Sequence, residues 1–130
     1  MTRSTPRPET EPRVNDLVLR QKVEAMIEYG YVALRQFPKW ERHVLAAEIR
    51  QTMWELLRLV ITAHKRYHKK STLQDMDVEL DLLRSQIRAA KGLQYLDWKK
   101  YETWAKLADE IGRMVGGWIK SMGLPMQEAH

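Results

Sequence analysis

The side chains best suited to binding a polyanion are concentrated in residues 64–70, HKRYHKK, which we call the 64–70 cluster. Four of these side chains are cations, two are histidines and none is an acid; the cations are Lys65, Arg66, Lys69 and Lys70. Ammonium and guanidinium groups form charge-assisted hydrogen bonds with phosphate oxygens, so this composition favours binding to nucleic acid. The dipole of a helix also favours cations at its C-terminus, but that effect explains one or two lysines and not the whole cluster.

The same cluster raises the question of a metal site. His64 and His68 are four residues apart, a spacing that can hold a metal ion on one face of a helix. No carboxylate stands at the next ligand spacing and lysines surround both imidazoles, so we expect no metal ion. The absence of cysteine excludes disulfides, zinc–thiolate sites and thiol nucleophiles. The sequence also lacks a glycine-rich phosphate loop and a serine nucleophile elbow, so we expect no enzyme and no cofactor.

Further cations recur along the chain on both sides of the cluster. Arg50 and Arg58 precede it on the same apolar-periodic segment, and a second set follows it: Arg84, Arg88 and Lys91. Four more stand seven residues apart and therefore share one face of a predicted helix, the basic ridge: Lys99, Lys106, Arg113 and Lys120. The nearby acids Glu102, Asp109 and Glu110 could pair with the ridge, so a solvated, salt-bridged face and a phosphate-binding surface both explain it.

The chain as a whole is small and basic. It has 130 residues, a formal net charge of +5 and an isoelectric point of about 9.6. One domain is expected at this length, and the charge favours polyanions, although a basic solvated surface has the same composition. No apolar run approaches the roughly 20 residues of a membrane span, and the first residues, MTRSTPRPETEPR, lack the apolar stretch of a secretory signal. We therefore expect a cytoplasmic protein.

The hydrophobic periodicity predicts an all-α fold, an up-down-up-down four-helix bundle over residues 13–122. Apolar residues recur every three or four positions, which gives helices over about 14–36, 40–69, 72–92 and from 97 onward. Pro38 ends the first helix, Thr72 caps the third, Gly92 provides its left-handed stop, and Asp97 caps the fourth. The connections are short, so neighbouring helices run antiparallel. Proline and polar residues predict flexible tails at 1–12 and 123–130.

The second helix carries more apolar surface than its own core stripe requires. That stripe runs from Leu45 to Tyr67, whereas Trp54 and Ile61 lie well off it, with Leu57 between them. An off-core tryptophan and isoleucine indicate a subunit interface, because a small chain rarely exposes such residues. The alternative is a wide core that wraps around them.

Three segments of the chain are characteristic in sequence: Phe37-Pro38-Lys39 with Glu41-Arg42, then Lys65 to Lys70, then Glu110 to Met114 with Gly116 to Lys120. Together they resemble the accessory variability determinant proteins of diversity-generating retroelements. The first segment also resembles the wider four-helix-bundle family named for ribosomal-RNA intervening sequences, whereas the second and third are specific. The similarity extends from about Asp16 to Ser121.

The resemblance implies a homopentameric barrel of four-helix bundles that does no chemistry itself. It implies a positive surface that binds the element's reverse transcriptase and nucleic acid, RNA and possibly DNA, during mutagenic retrohoming. Two other functions stay open: a general RNA-binding bundle of the intervening-sequence type without a polymerase partner, and a purely structural oligomer whose charges serve solubility.

Overall fold

A computed structural model describes residues 14–124, with side chains from Leu17 onward, and this part of the chain is entirely helical. Its α-helices are α1 (Val14–Leu34), α2 (Leu45–Lys65), α3 (Lys70–Gly92) and α4 (Trp98–Ser121), and a single 3₁₀ turn spans Lys39–Glu41. No strand occurs within residues 14–124. The predicted tails lie outside the described residues except for Gly123 and Leu124.

The four α-helices form the predicted antiparallel bundle. α1 packs on α2, α2 on α3, α3 on α4, and α4 closes the ring against α1. The core between them contains the fully buried Trp104 together with aliphatic and methionine side chains from every helix. Gly30 allows α1 to approach this core closely, since a Cβ atom at that position would lie only 2.5 Å from Met53 Sδ. None of the described helices has the length and hydrophobicity of a membrane span.

The second helix is shorter than the sequence predicts. The prediction placed it over residues 40–69, but α2 begins at Leu45 and ends at Lys65. Before it, Pro38 starts the separate 3₁₀ turn, and Val44 has a non-helical backbone with φ −116° and ψ −99°. After it, Arg66 is extended, with φ −99° and ψ 143°. Because the helix has ended, Tyr67 does not continue the core stripe as predicted and is 60% exposed.

The start of α3 also differs from its prediction. Thr72 is not the cap, because the helix begins at Lys70, with Lys69 in the N-cap position, and Thr72 is buried inside the first turn. The predicted stop is displaced at the other end, where Gly92 is the last helical residue. The left-handed backbone, with φ 65°, occurs instead at Gln94. Sequence motifs thus located both ends of α3 to within about two residues, which is the usual uncertainty of such boundaries.

The ends of α4 are closed by recognisable caps. The predicted N-cap is confirmed, since the Asp97 carboxylate accepts a hydrogen bond of 2.7 Å from the backbone N–H of Lys100. This bond, together with one from the side chain of Gln36, lowers the pKa of Asp97. At the other end Gly123 adopts φ 72°, and the Leu124 N–H returns to the Ile119 carbonyl over 3.2 Å. This pattern is a Schellman cap, and it packs Leu124 against the core.

The bundle therefore has two distinct ends. The 35–44 end holds the α1–α2 connection and the α3–α4 connection. These are joined where Gln36 Nε2 donates to Asp97 Oδ2 over 2.7 Å and the Asp97 N–H donates back to Gln36 Oε1 over 3.1 Å. The 66–69 end holds the α2–α3 connection and the end of α4.

Candidate nucleic-acid interface

The 64–70 cluster presents three cations to solvent and not four. Lys65, Arg66 and Lys70 are exposed, but Lys69 is only 7% exposed. The Lys69 ammonium donates hydrogen bonds to the carbonyl oxygens of Ala63 and Arg66. These carbonyls lie at the C-terminal end of α2, where unpaired acceptors and the negative end of the helix dipole favour a cation. Lys69 thus closes α2 from within and is unsuited to contact a phosphate, which corrects its place among the candidate binding residues.

The two histidines of the cluster do not share a helix face. His64 is buried in the last turn of α2, with its ring 5.6 Å from that of Trp118 on α4. His68 follows the end of the helix and is exposed, and its ring meets that of Tyr67 edge-on at 4.8 Å. The i, i+4 geometry of a helical metal site is therefore not formed. Within the described part of the chain, no three histidine or acidic side chains come together as a metal site would require.

The basic ridge is exposed along its whole length, and fewer of its charges are paired than the sequence predicts. Lys99, Lys106, Arg113 and Lys120 are all exposed. Lys106 pairs with Glu102 at 3.9 Å, as predicted for one turn of helix. The other two acids form ion pairs with neighbouring helices. Asp109 pairs with Arg84 of α3 at 3.4 Å, and Glu110 pairs with Lys22 of α1 at 3.0 Å. Among the described residues, Arg113 therefore has no ion-pair partner.

The 64–70 cluster and the ridge meet at the same end of the bundle. The ring contact of His64 with Trp118 holds the last turn of α2 against the last turns of α4. Lys120 follows Trp118 by two residues, so it stands at the 66–69 end, near which Lys65 and Arg66 also lie. The 66–69 end therefore holds exposed cations of both groups, from the α2–α3 connection and from the last turn of α4.

The candidate cations of α2 and α3 differ in their freedom to bind a ligand. Arg58 is exposed and pairs with Glu55 at 3.2 Å, and Arg88 is exposed and donates to the Ser85 hydroxyl. The Lys91 ammonium lies 5.6 Å from the centre of the Trp98 ring, a cation–π arrangement. These contacts lie at the surface and are weak enough to be exchanged for a phosphate.

Arg84 has a structural role in the bundle. Its guanidinium pairs with Asp109 and packs directly over Gly112, where a Cβ atom would collide with it. Arg84 therefore ties α3 to α4, and Gly112 belongs to close packing between these helices, as the small residues of this segment suggest. Arg50, in turn, is half-buried and donates to the Arg42 carbonyl over 3.0 Å.

The first half of α3 is acidic on two sides of the helix. Asp75 and Glu79 are four residues apart and share one side, and Asp77 and Asp81 share the nearly opposite side. Burial raises the pKa of Asp77 and of Glu79, and neighbouring carboxylates raise both further. These carboxylates repel a polyanion, so the first half of α3 is unfavourable for phosphate contacts.

The three residues expected at a subunit interface have unequal exposure. Trp54 is 47% exposed, Ile61 is half-buried, and Leu57 is only 8% exposed because it belongs to the core of its own chain. Trp54 and Leu57 line a shallow apolar depression of about 570 Å³, together with Ile27 and with Glu24 and Glu28. The sequence thus identified the exposed tryptophan, whereas the wide-core alternative holds for Leu57.

A second group of cations, at the 35–44 end, was not identified from the sequence apart from Arg50. Arg35, Lys39, Arg42 and His43 line one cavity together with Arg50. This segment contains Phe37-Pro38-Lys39, which is part of the family resemblance. The group was not predicted because residues 40–69 were interpreted as one helix, which leaves out the turn that brings these side chains together.

Comparison with known proteins identifies the family. A family model described as bAvd-like matches residues 17–122, a range that includes nearly all of α1 and the whole of α2, α3 and α4. The chain belongs to the bAvd-like family. This match confirms the resemblance to the accessory variability determinant proteins, and the four-helix fold agrees with it. No curated protein matches the chain.

As a bAvd-like protein, the chain is an accessory-type helical bundle. Within residues 17–124, exposed lysines and arginines that can bind an anion occur on several helices, beside exposed carboxylates.

Proposed function

We propose that this bAvd-like protein is a non-enzymatic accessory subunit of a diversity-generating retroelement. It binds the element's reverse transcriptase and nucleic acid, and it supports mutagenic retrohoming. The observation that carries the proposal is the family match over residues 17–122, together with the exposed cations at the 66–69 end. Lys65, Arg66 and Lys70 are exposed there, and the acids nearest the ridge are largely engaged elsewhere.

The nucleic acid is bound through its phosphates. Lysine and arginine are distributed over helix surfaces, and no element within residues 14–124 offers a base-reading arrangement, so binding is electrostatic and has little sequence specificity. An oligomer multiplies these contacts, because linked copies engage one strand at high effective concentration. We propose a homopentamer, on the family resemblance and the exposed Trp54.

Co-purification tests the partnership. The proposal predicts a reverse-transcriptase gene next to the gene for this chain. The chain is expressed with that reverse transcriptase and captured through a tag on either protein. The expected result is a stable complex that retains RNA. A failure of the two proteins to associate, with RNA binding intact, would favour a general RNA-binding bundle of the intervening-sequence type.

Salt dependence tests the nucleic-acid contacts. The logarithm of the affinity for single-stranded RNA should fall with the logarithm of salt concentration, by a slope of about −0.7 per neutralised phosphate. An affinity that stays constant between low and physiological salt would contradict the proposal and favour a structural oligomer.

A further inference from the structure

A positively charged cavity of about 470 Å³ lies at the 35–44 end, away from the 64–70 cluster. Its walls come from the last turn of α1, the 3₁₀ turn and the first turns of α2. Four cations and a histidine line it: Arg35, Lys39, Arg42, His43 and Arg50. No acidic side chain lines the cavity. Its volume is within the range of sites that hold small ligands.

Two acids of this end, Glu41 and Asp97, are held by groups that do not line the cavity. Glu41 accepts hydrogen bonds from the Leu45 N–H at 3.2 Å and from the Tyr95 hydroxyl at 2.7 Å. Asp97 accepts from the Lys100 N–H and from Gln36. Both carboxylates are thus held by groups outside the cavity, so an incoming anion meets cations without displacing an internal partner.

The cavity is built from constrained residues. Pro38 holds φ at −61° at the start of the 3₁₀ turn, and Phe37 packs on the Tyr95 ring with centroids 5.3 Å apart. Arg50 Nη2 donates to the Arg42 carbonyl, which positions the Arg50 guanidinium across the turn. A pre-formed wall reduces the entropy lost when a ligand binds.

The lining combines charge with flat apolar surface. Tyr31, Phe37 and Pro38 contribute to it beside the cations. Guanidinium groups match phosphate oxygens in geometry, and aromatic rings provide stacking surfaces for planar bases. Cations near the end of α1 are also favoured by its dipole, but that effect does not account for the convergence of Arg42, His43 and Arg50 from the following elements on the same cavity.

We propose that this cavity binds a nucleoside phosphate, either a free nucleotide or one unit of a single strand. The inference goes beyond the proposed function, because it assigns a discrete site with a stacked base in place of a dispersed phosphate-binding surface. It does not depend on the reverse transcriptase, so either proposal can fail alone.

The test uses the full chain, with ATP, inorganic phosphate and a short single-stranded oligoadenylate as probes. The variant Arg35→Gln/Arg42→Gln removes two lining cations. Arg20→Gln/Lys22→Gln is a control of equal charge, because it removes two surface cations of α1 that lie outside the cavity, the cluster and the ridge. Binding is measured by calorimetry at fixed salt. The affinity for a nucleoside phosphate should fall at least about tenfold in the cavity variant, as expected for loss of charge-assisted hydrogen bonds, and should change little in the control.

A second measurement protects the test against a variant that does not fold. Amide NMR shifts of the unchanged protein on addition of ATP or oligoadenylate should be concentrated in residues 31–50. If both ATP and oligoadenylate bind, the site accepts a free nucleotide as well as one unit of a strand. If only one of them binds, that form of nucleotide is the ligand.

Three outcomes would overturn the assignment. One is the absence of shifts in residues 31–50 with both nucleoside phosphates, and another is equal losses in the cavity and control variants. The third is loss of reverse-transcriptase binding by the cavity variant without nucleotide binding by the unchanged protein, which would make the cavity a protein-docking site. Failure of the proposed function would instead appear as unchanged RNA and polymerase binding in variants of the 64–70 cluster.

Discussion

The indole Nε1 of Trp54 donates a hydrogen bond to the Tyr31 hydroxyl oxygen over 2.9 Å. This contact fixes a tryptophan that is 47% exposed on α2 against the outer face of α1. Tyr31 also lines the positively charged cavity, so it lies between that cavity and the apolar depression beside Trp54. A side chain held in place before association loses less entropy when it enters an interface.

Replacement of Trp54 should therefore separate assembly from folding. We expect Trp54→Glu to weaken the oligomer while the helical signal persists, because the charge enters an apolar interface and not the core. Sedimentation velocity at micromolar concentration gives the mass, and circular dichroism gives the fold.

Leu57 provides the matched control from the same helix. Leu57→Ala should destabilise the protein by about 2–5 kcal/mol, as for other buried leucines. A Trp54→Glu variant with the same mass as the unchanged protein would contradict the interface assignment, as would an unchanged protein that sediments as a single chain of 15.4 kDa.

Removal of the exposed cations of the 64–70 cluster should impair function without loss of fold. We expect Lys65→Ala/Arg66→Ala/Lys70→Ala to weaken binding to RNA or to the reverse transcriptase and to reduce retrohoming in cells. Stability should change little or rise, because like charges crowd the end of α2. Binding equal to that of the unchanged protein would show that these cations form only a solvated helix end.

The basic ridge should be comparably sensitive to such changes. If Glu102, Asp109 and Glu110 all paired with the ridge, as their spacing allows, the loss there would be smaller than in the cluster. Only Glu102 does so, because the other two pair with Arg84 and Lys22. We therefore expect Lys99→Ala/Arg113→Ala/Lys120→Ala to reduce RNA binding about as much as the cluster variant. A much smaller reduction would show that nucleic acid does not extend onto α4.

Lys69 should be required for stability rather than for binding. Lys69→Met leaves the carbonyls of Ala63 and Arg66 without their ammonium donor, which should cost about 2–3 kcal/mol. The adjacent Lys70 is exposed, so Lys70→Met is the control and should change the free energy of unfolding little. Urea denaturation of the two variants makes the comparison. Equal stabilities would mean that water replaces the Lys69 hydrogen bonds at little cost.

The Asp97 cap should make stability depend on pH in acid. The backbone N–H of Lys100 and the side chain of Gln36 lower the pKa of Asp97 in the folded protein below its ordinary value of 3.8. A carboxylate whose pKa is lower in the folded than in the unfolded protein contributes its full stabilisation at any pH above the unfolded-state pKa. That contribution is lost as the pH falls through the folded-state pKa. The stability difference between the unchanged protein and Asp97→Ala should therefore shrink below pH 3.8. A difference that is the same at neutral and acid pH would exclude this linkage.

Much of the fold was predictable because its determinants are local. The three-to-four-residue apolar rhythm specified an all-α bundle, and the Asp97 cap depends on an N–H group only three residues away. The exposure of Trp54 also followed from its angular position on one helix. The limits of α2 were wrong because the apolar rhythm and its basic end look helical from residue 40 to residue 69, whereas Val44 and Arg66 leave the helical backbone.

What the sequence by itself determined was therefore the helical class, the positive charge and the family resemblance. The tertiary structure decided which charges remain available to a partner. It turned Lys69 inward onto α2, paired Asp109 and Glu110 with other helices, and gathered Arg35, Arg42 and Arg50 around one cavity. These arrangements depend on contacts between helices and on the path of each connection, which helical periodicity does not encode. Charge composition is a property of the chain, whereas its distribution over a surface is a property of the packed bundle.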